Sequence, residues 1–298
     1  MAYELEHHYV RTNGIQLHVV QCGPAEGPLV ILLHGFPEFW YGWKKQIPAL
    51  AEAGYRVWAP DQRGYNLSDK PTRVAHYAID KLAADVVGLI DAAGREKAFM
   101  VGHDWGAAVA WWLALHHADR VAKLAVLNVP HPAVLGRKVR RSPRQLRKSW
   151  YIFFFQLPWL PERLIRFGNW RVGRKTLVGS SRRGTFSDAD LQQYQAAWAQ
   201  PGAVRSMINW YRAAVRSVSR LGKTGRVTVP VHIIWGRRDA FLEADMAAES
   251  LTYCDRGQLT YFDKATHWVQ HEEAARVNEL LLALFQQANQ VPIIYTTS

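Results

Sequence analysis

Apolar and polar stretches alternate along the chain in a way that predicts a β-sheet covered by helices. The run Leu29–Leu33 is continuously apolar, which is typical of a strand covered on both faces. After it, Trp40, Trp43, Ile47 and Leu50 recur at helical spacing. Seven further strands are predicted, at 7–11, 15–20, 55–59, 98–101, 121–127, 231–235 and 258–261. Helices are predicted over 76–92 and 105–117, from about 243 and from about 272.

The order of these segments indicates an α/β fold with one insertion. The first two predicted strands flank Asn13-Gly14, a pair suited to the positive φ angles of a tight hairpin. The later strands alternate with helices, as in a parallel sheet. The stretch 131–228 contains helical patches and no comparable strands. We therefore expect a mostly parallel eight-stranded sheet flanked by helices, built from 1–130 and 229–298, with a helical cap, 131–228, after the sixth strand.

The net charge of +12 is concentrated in the predicted cap. Residues 131–226 contain 20 Lys and Arg but three Asp and Glu, and 136–148 contains seven basic residues and no acid. This basic stretch suits a solvated face, an anionic membrane surface, an acidic partner subunit or a carboxylate-bearing substrate. Nucleic acid is an unlikely partner, because no recognisable reading module accompanies the arginines.

Cysteine content and the N-terminus bear on the compartment. Cys22 and Cys254 are far apart, which favours neither a disulfide framework nor a metal site. The N-terminal residues lack the apolar core of a signal peptide, and no run of 18 apolar residues occurs. We expect a cytoplasmic protein without a metal or other cofactor. The sequence leaves open whether it is a monomer or a homodimer.

The segment Gly102–Gly106 fits the motif Gly-x-nucleophile-x-Gly at a junction between a strand and a helix. The small residues permit the sharp turn that lifts a nucleophile above the sheet. The nucleophile position holds Asp104, a carboxylate, where serine is usual in this motif. The alternative is that Asp104 only caps the helix that follows.

Partners for this nucleophile occur in the order that the motif requires, an acid and then a histidine. Asp239 follows the seventh predicted strand, and His267 follows the eighth. Asp245 and Asp263 are alternative acids. An acid can also follow the sixth strand, but the chain has Asn128 there, which cannot act as a carboxylate.

A carboxylate nucleophile restricts the substrates that make chemical sense. With an unperturbed pKa near ~4, Asp104 is ionised at neutral pH and needs no base for attack. Attack on a carbonyl would give a labile anhydride, whereas attack on a saturated carbon gives an ester. Water activated by His267, which Asp239 orients, would hydrolyse that ester. The main-chain N–H groups of Phe36 and Trp105 are the predicted oxyanion donors.

Several motifs together carry a resemblance to a known family. They are His34-Gly-Phe-Pro-Glu-Phe-Trp-Tyr-Gly-Trp43, the run from Pro48 through Gly54-Tyr-Arg-Val, Gly102-His-Asp-Trp-Gly106, Asn209-Trp-Tyr-Arg212 and Thr266-His-Trp-Val-Gln270. In this combination the chain resembles the soluble epoxide hydrolases from about residue 5 to 290, less closely in the cap between 131 and 205. The resemblance implies an α/β-hydrolase fold and the conversion of an epoxide to a vicinal diol.

The resemblance also assigns roles to cap residues. In that family two cap tyrosines donate hydrogen bonds to the epoxide oxygen and protonate the opening alkoxide, which is a poor leaving group. Tyr211, in Asn-Trp-Tyr-Arg, matches one of them, and Tyr151, in Ser-Trp-Tyr-Ile, matches the other. Tyr194 is a possible substitute. The alternative for these tyrosines is aromatic packing.

Aromatic residues favour an apolar pocket for an apolar or aryl epoxide. The pocket residues that we predict are Phe36, Trp105, Trp150 and Phe154, within an aromatic cap lining that also includes Phe153, Phe155 and Trp159. Which epoxide is bound, and which ring carbon is attacked, do not follow from residue types.

Two enzyme classes and one binding class compete with this interpretation. Haloalkane dehalogenases share the Asp104 ester chemistry and are the alternative function, but they commonly supply a side-chain N–H donor where Phe36 stands. Fluoroacetate dehalogenases carry arginines where Trp105 and Ala108 stand. A receptor or inactive scaffold on the same fold would show a degenerate site, whereas every predicted role is filled here.

Overall fold

A computed structural model describes residues 3–216, 225–287 and 294–297, the last of these by their backbone. Within these residues one sheet has nine strands in the order β1-β2-β4-β3-β5-β6-β7-β8-β9. The strands are β1 Glu6–Thr12, β2 Ile15–Cys22, β3 Leu29–Leu33, β4 Arg56–Pro60, β5 Ala98–His103, β6 Val121–Leu127, β7 Val231–Gly236, β8 Gly257–Phe262 and β9 Ile294–Thr297.

The sheet confirms the predicted α/β-hydrolase fold. All eight predicted strands are present, and β9 extends the sheet by pairing parallel with β8. The pairs β1–β2 and β2–β4 are antiparallel, and the remaining pairs are parallel. The predicted hairpin joins β1 to β2, where Asn13 and Gly14 both have positive φ angles, 44° and 74°. The four residues of β9 are too few for apolar periodicity to reveal.

Helices cover both faces of the sheet. Outside the cap they are α1 Gln46–Glu52, α2 Ile79–Ala92, α3 Trp105–His116, α10 Asp245–Leu251, α11 Val269–Glu272 and α12 Ala274–Gln286. The cap helices are α4 Pro132–Arg141, α5 Pro143–Lys148, α6 Trp150–Phe154, α7 Leu160–Ser180, α8 Asp188–Ala199 and α9 Ala203–Arg216.

The continuous apolar run of β3 is explained by two separate apolar layers. Ile31 belongs to the layer that contains Leu89 of α2. The next residue, Leu32, belongs to the layer that contains Ile47 of α1 and Leu281 of α12. Since successive side chains of a strand point to opposite faces, both faces of β3 must be apolar.

The cap helices α4 to α9 all lie between β6 and β7, after the sixth strand as the sequence predicts. The helix α7 is interrupted at 167–170, where three consecutive residues have positive φ. Part of the basic stretch attaches the cap to the core, because Arg137 pairs with Glu249 and Lys138 pairs with Asp245. The division of the chain into a core and a cap domain stays a prediction.

In the part of the chain that the structure describes, no helix is long and apolar enough to cross a bilayer. The predicted cytoplasmic location stays a prediction.

Candidate active site

Asp104 lies between β5 and α3 in a strained backbone conformation. Its φ and ψ angles are 48° and −124°, a combination that costs free energy for a residue with a side chain. Its carbonyl oxygen accepts the N–H groups of Ala107 and Ala108, but its side chain makes no capping hydrogen bond. The alternative that Asp104 serves only as a side-chain cap is therefore wrong, and the carboxylate is free to point elsewhere.

Glycines let the main chain approach this turn closely. A methyl group on Gly35 would lie 2.3 Å from Asp104 Cβ. A methyl group on Gly106 would lie 2.0 Å from the carbonyl oxygen of Leu33, at the end of β3. Both distances are far below van der Waals contact, so any larger residue would displace the end of β3 from the turn.

The close approach at Gly35 brings a main-chain donor to the carboxylate. Phe36 N–H donates to Asp104 Oδ1 at 2.7 Å. Within the described residues the N–H of Trp105, the second predicted oxyanion donor, makes no hydrogen bond with that carboxylate. The oxyanion roles of Phe36 and Trp105 stay predictions, with a contact in place for Phe36.

The predicted acid and histidine lie beside the same carboxylate. His267 Nδ1 is 2.7 Å from Asp239 Oδ2, and His267 Nε2 is 3.5 Å from Asp104 Oδ2. The other oxygen of Asp239, Oδ1, accepts the N–H groups of Phe241 and Leu242. These bonds hold the imidazole between two carboxylates.

The two alternative acids are engaged elsewhere. Asp263 pairs with Arg237 at 2.8 Å, and its side chain is largely exposed. Asp245 pairs with Lys138 on the cap. Of the three aspartates, Asp239 is the one that reaches His267.

The two carboxylates control the charge of the imidazole. Burial would lower the pKa of His267, but Asp239 and Asp104 outweigh that effect and raise the pKa to about 10. Burial would raise the pKa of Asp104 and Asp239, but their hydrogen bonds and attraction to His267 hold both below the usual value. At neutral pH the site therefore contains an imidazolium between two ionised carboxylates.

The predicted cap tyrosines meet above this group. The rings of Tyr211, on α9, and Tyr151, on α6, are 5.8 Å apart. Tyr211 also contacts Phe36 and Trp105, at 5.3 and 5.0 Å between ring centroids. Burial and the negative charge of Asp104 raise the pKa of both phenols above the usual value. Both hydroxyls are therefore protonated at neutral pH.

The aromatic residues of the cap divide into two groups. Phe155 is buried against Phe36, Tyr151 and Tyr211, and Phe154 packs partly buried on the same apolar layer. By contrast, Phe153 and Trp159 are mostly exposed, and their place in the cap lining stays a prediction. Trp150 is also mostly exposed and contacts Phe154 at 5.9 Å, so its pocket role stays a prediction.

Comparison with known proteins identifies the family. The family model for the alpha/beta hydrolase fold matches residues 28–274. The AB hydrolase superfamily protein YfhM of Bacillus subtilis is 49% identical over 92% of this chain and 96% of its own length. Human epoxide hydrolase 4 is 37% identical over 94% of this chain and 79% of its own length. The chain belongs to the epoxide hydrolase family of α/β hydrolases.

A solved structure supports the same assignment. The crystal structure of an epoxide hydrolase from Bacillus megaterium, in complex with an inhibitor, superposes with a TM-score of 0.86 and 30% identity. The match covers 94% of this chain and all of that one. The resemblance found in the sequence motifs is confirmed at the level of the whole fold.

In this member of the epoxide hydrolase family, the sequence identifies Asn128 only as a position where a carboxylate is absent. Asn128 follows β6, and its Nδ2 donates to Asp239 Oδ2 at 2.7 Å. Its Oδ1 accepts the N–H of Gly236 at 3.0 Å. Asn128 thus supports the carboxylate that orients His267, and the spacing of the motifs gave no signal of this contact.

A second buried network was missed altogether. Glu38 lies in the segment after Phe36 and accepts hydrogen bonds from His271 Nε2 and Tyr194 O–H, both at 2.7 Å. Gln270 Nε2 donates to its other oxygen at 3.0 Å. Tyr194, considered as a substitute acid for the epoxide, is therefore bonded to Glu38.

Proposed function

We propose that this protein is a cofactor-independent epoxide hydrolase that opens an epoxide to a vicinal diol through a hydroxyalkyl ester on Asp104. The observation that carries the proposal is the convergence of three groups on one carboxylate. Phe36 N–H binds Oδ1, and His267 faces Oδ2. The phenols of the partly buried Tyr151 and the buried Tyr211 lie close enough for the charge of Asp104 to raise their pKa. Membership of the epoxide hydrolase family supports the substrate class.

The contacts of Asp104 favour different roles for its two oxygens. Oδ1 accepts the Phe36 N–H at 2.7 Å, so it suits the oxygen that remains a carbonyl in the ester. Oδ2 makes the longer contact with His267 and is the better nucleophile toward an epoxide carbon. Attack forms the bond from Oδ2 to carbon and breaks the bond from that carbon to the ring oxygen.

The ring oxygen must receive a proton as it leaves. Tyr151 and Tyr211 are protonated, since the pKa of each phenol is raised, and either can donate that proton. The products of this step are a neutral ester, a tyrosinate and the imidazolium of His267. Both tyrosines lie on cap helices, so the cap supplies the acid and the core supplies the nucleophile.

Formation of the ester then changes the protonation state of His267. The imidazolium of His267 has no free lone pair for water while its pKa is near 10. The ester removes the charge of Asp104, which is one of the causes that raise this pKa, so the imidazolium becomes more acidic. Transfer of its proton to the tyrosinate restores both groups to the neutral form. His267 becomes a base only after the intermediate has formed.

Hydrolysis returns the site to its first state. Neutral His267 takes a proton from water, and the hydroxide oxygen attacks the ester carbonyl carbon, placing negative charge on Oδ1 beside the Phe36 N–H. Collapse breaks the ester bond to the diol oxygen, which takes the carboxyl proton. Asp104 is again ionised, His267 is again an imidazolium, and one oxygen of Asp104 now comes from water.

A single turnover in oxygen-18 water, followed by peptide mass spectrometry, tests this path. We expect label in the peptide that contains Asp104 and none in the first diol formed. His267→Gln should accumulate an enzyme heavier by the mass of the epoxide, and Asp104→Asn should show no adduct.

Two outcomes would overturn the proposal. Label in the first diol with none in the enzyme would mean direct attack by water. Halide release from chloro- or bromoalkanes, without diol from a panel of aryl and alkyl epoxides, would assign the ester chemistry to a dehalogenase.

A further inference from the structure

Exposed hydrophobic residues are concentrated on one part of the cap. Among the described residues, eight of the 14 large hydrophobic residues that are exposed lie between 146 and 167. Four of them are aromatic: Trp150, Phe153, Trp159 and Phe167 are 62%, 55%, 61% and 71% exposed. Exposed apolar side chains concentrated in this way are typical of an interaction site.

The first turns of α7 show how this surface is built. Leu160 and Leu164 are four residues apart, the spacing of one helix face, and both are exposed. Phe167, at the point where the helix is interrupted, is exposed as well. Ile165, on another face of the same helix, packs against the apolar layer of the core. The exposed apolar side chains are therefore separate from Ile165, which packs α7 against the core.

Unpaired arginines accompany the apolar residues. Arg140, Arg141 and Arg147 are exposed, and within the described residues none of them makes an ion pair. Arg147 lies near the end of α5, three residues before Trp150 at the start of α6. Glu162 is the single acid between 136 and 171, and it is paired with Arg212 at 2.7 Å.

Two more arginines lie within the apolar stretch itself. The guanidinium of Arg163 is 5.1 Å from the ring centre of Trp159, and that of Arg166 is 6.0 Å from the ring centre of Trp170. We call the exposed side chains of 140–167 the basic–aromatic surface. It combines tryptophan, phenylalanine, leucine and arginine, which is the composition of helices that lie in a membrane interface.

Charge decides which partner fits this surface. A two-fold contact between copies would place the arginines of one copy against those of the other, with no free acid to balance them. Nucleic acid would use the arginines, but it offers little to Leu160 and Leu164. An anionic bilayer accepts both kinds of side chain, because phosphates lie above hydrocarbon.

We infer that the basic–aromatic surface docks the cap on an anionic lipid bilayer. The apolar side chains enter the boundary between headgroups and acyl chains, and the arginines contact lipid phosphates. The protein then lies on the membrane surface by this face. The inference depends on surface chemistry alone and is independent of the proposed reaction.

Sedimentation with vesicles tests the inference on the full chain. Vesicles of phosphatidylcholine with about 30% phosphatidylglycerol provide anionic charge of the order found in natural membranes, and pure phosphatidylcholine is the comparison. The charge variant is Arg141→Gln/Arg147→Gln, and the apolar variant is Leu164→Ser/Phe167→Ser. Arg11→Gln/Arg73→Gln is the matched control, because these exposed arginines lie outside the surface.

We expect binding to the anionic vesicles that weakens with salt, and much less binding to pure phosphatidylcholine. Each lost arginine should lower the partition coefficient about fivefold, so the charge variant should bind roughly 30-fold more weakly. The apolar variant should also lose binding, while the control stays within about threefold of the wild type. Circular dichroism of each variant verifies that it is folded.

Four results would overturn the inference. The first is no sedimentation with anionic vesicles, and the second is an equal loss in the control variant. The third is a dimer in lipid-free gel filtration that Leu164→Ser/Phe167→Ser dissociates, which would assign the surface to a second copy. The fourth is retention on heparin without vesicle binding, which would assign the arginines to another polyanion.

Discussion

His103 Nε2 donates a hydrogen bond to the main-chain carbonyl oxygen of His267 at 2.8 Å. Since a carbonyl can only accept, this contact requires the proton of His103 on Nε2. The other nitrogen, Nδ1, lies 3.2 Å from Glu38 Oε2 and 3.0 Å from Gln270 Nε2. The residue before the proposed nucleophile thus connects the buried Glu38 to the segment that carries the proposed base.

Glu38→Gln should slow ester hydrolysis more than ester formation. The carboxylate is buried and collects hydrogen bonds from His271, Tyr194 and Gln270, so its loss should let the segment of His267 shift. In rapid-quench single turnovers we expect hydrolysis to fall at least about tenfold, in line with the loss of a group that orients a catalytic residue. Ester formation, in which His267 takes no proton, should change little.

The matched control is Glu52→Gln, which removes an exposed carboxylate from α1. It should leave both steps unchanged. Equal slowing of the two steps in Glu38→Gln would indicate general loss of structure and would contradict a positioning role.

The raised pKa of His267 predicts how stability depends on pH. The folded pKa is about 10, against an ordinary value of 6.5, so the folded state holds a proton that the unfolded state loses. This contribution is complete below about pH 6.5 and is lost as the pH rises toward 10. Urea unfolding should show a free energy that falls by up to about 1.4 kcal/mol per pH unit across this window.

His267→Gln is the comparison, since it removes the titrating group. The variant should lack this additional slope between pH 6.5 and 10, although burying Asp239 without its partner should make it less stable overall. An unchanged slope would mean that His267 is not protonated in the folded protein.

The parts of the fold that sequence could predict depend on local patterns. The buried strands are predictable because each is a short apolar run between polar segments. The mostly exposed β1 is predictable from the hairpin pair Asn13-Gly14. Asp104, Asp239 and His267 are predictable because each follows a parallel strand within a few residues, and these strand ends meet at one edge. Their proximity in space therefore follows from the order of the strands and of these residues along the chain.

The aromatic run of the cap is less predictable because α6, with five residues, is too short to show a helical period. Phe153 and Phe155 are two residues apart in one aromatic run, yet the first is exposed and the second is buried. The direction of each ring is set by how α6, of five residues, docks on the core. Glu38 and Tyr194 meet across 156 residues, a separation at which no local pattern carries information.

Gly106→Ala should destabilise the protein by several kcal/mol, as other severe clashes in a packed core do. The added methyl group would lie 2.0 Å from the carbonyl oxygen of Leu33, which is main chain and cannot move aside alone. Gly179→Ala is the control, because a methyl group there meets no atom within 4 Å, and helical alanine is favoured over glycine by about 1 kcal/mol.

In thermal and urea unfolding, Gly106→Ala should therefore be clearly less stable than the wild type. Gly179→Ala should be as stable as the wild type or slightly more so. A Gly106→Ala protein of wild-type stability would show that β3 and the turn at Asp104 are less closely packed than the structure indicates.

Replacing the two cap phenols should affect ester formation alone. In Tyr151→Phe and Tyr211→Phe the aromatic ring that packs against Phe155 is kept, so only the hydroxyl is lost. General acids contribute about 10² to 10⁴ in rate, so the double variant should form the ester at least about 100-fold more slowly. Each single variant should lose less, because the other phenol still donates.

Ester hydrolysis separates this role from a structural one. In the double variant no tyrosinate forms, so the opening alkoxide takes the imidazolium proton and His267 again becomes neutral once the ester has formed. Water activated at His267 then attacks the ester without a proton from the phenols, so the hydrolysis rate should stay within about threefold of the wild type. Tyr9→Phe, at an exposed position on β1, is the control for loss of a hydroxyl. Slowing of hydrolysis to the same extent as ester formation would contradict the assignment of the tyrosines as acids.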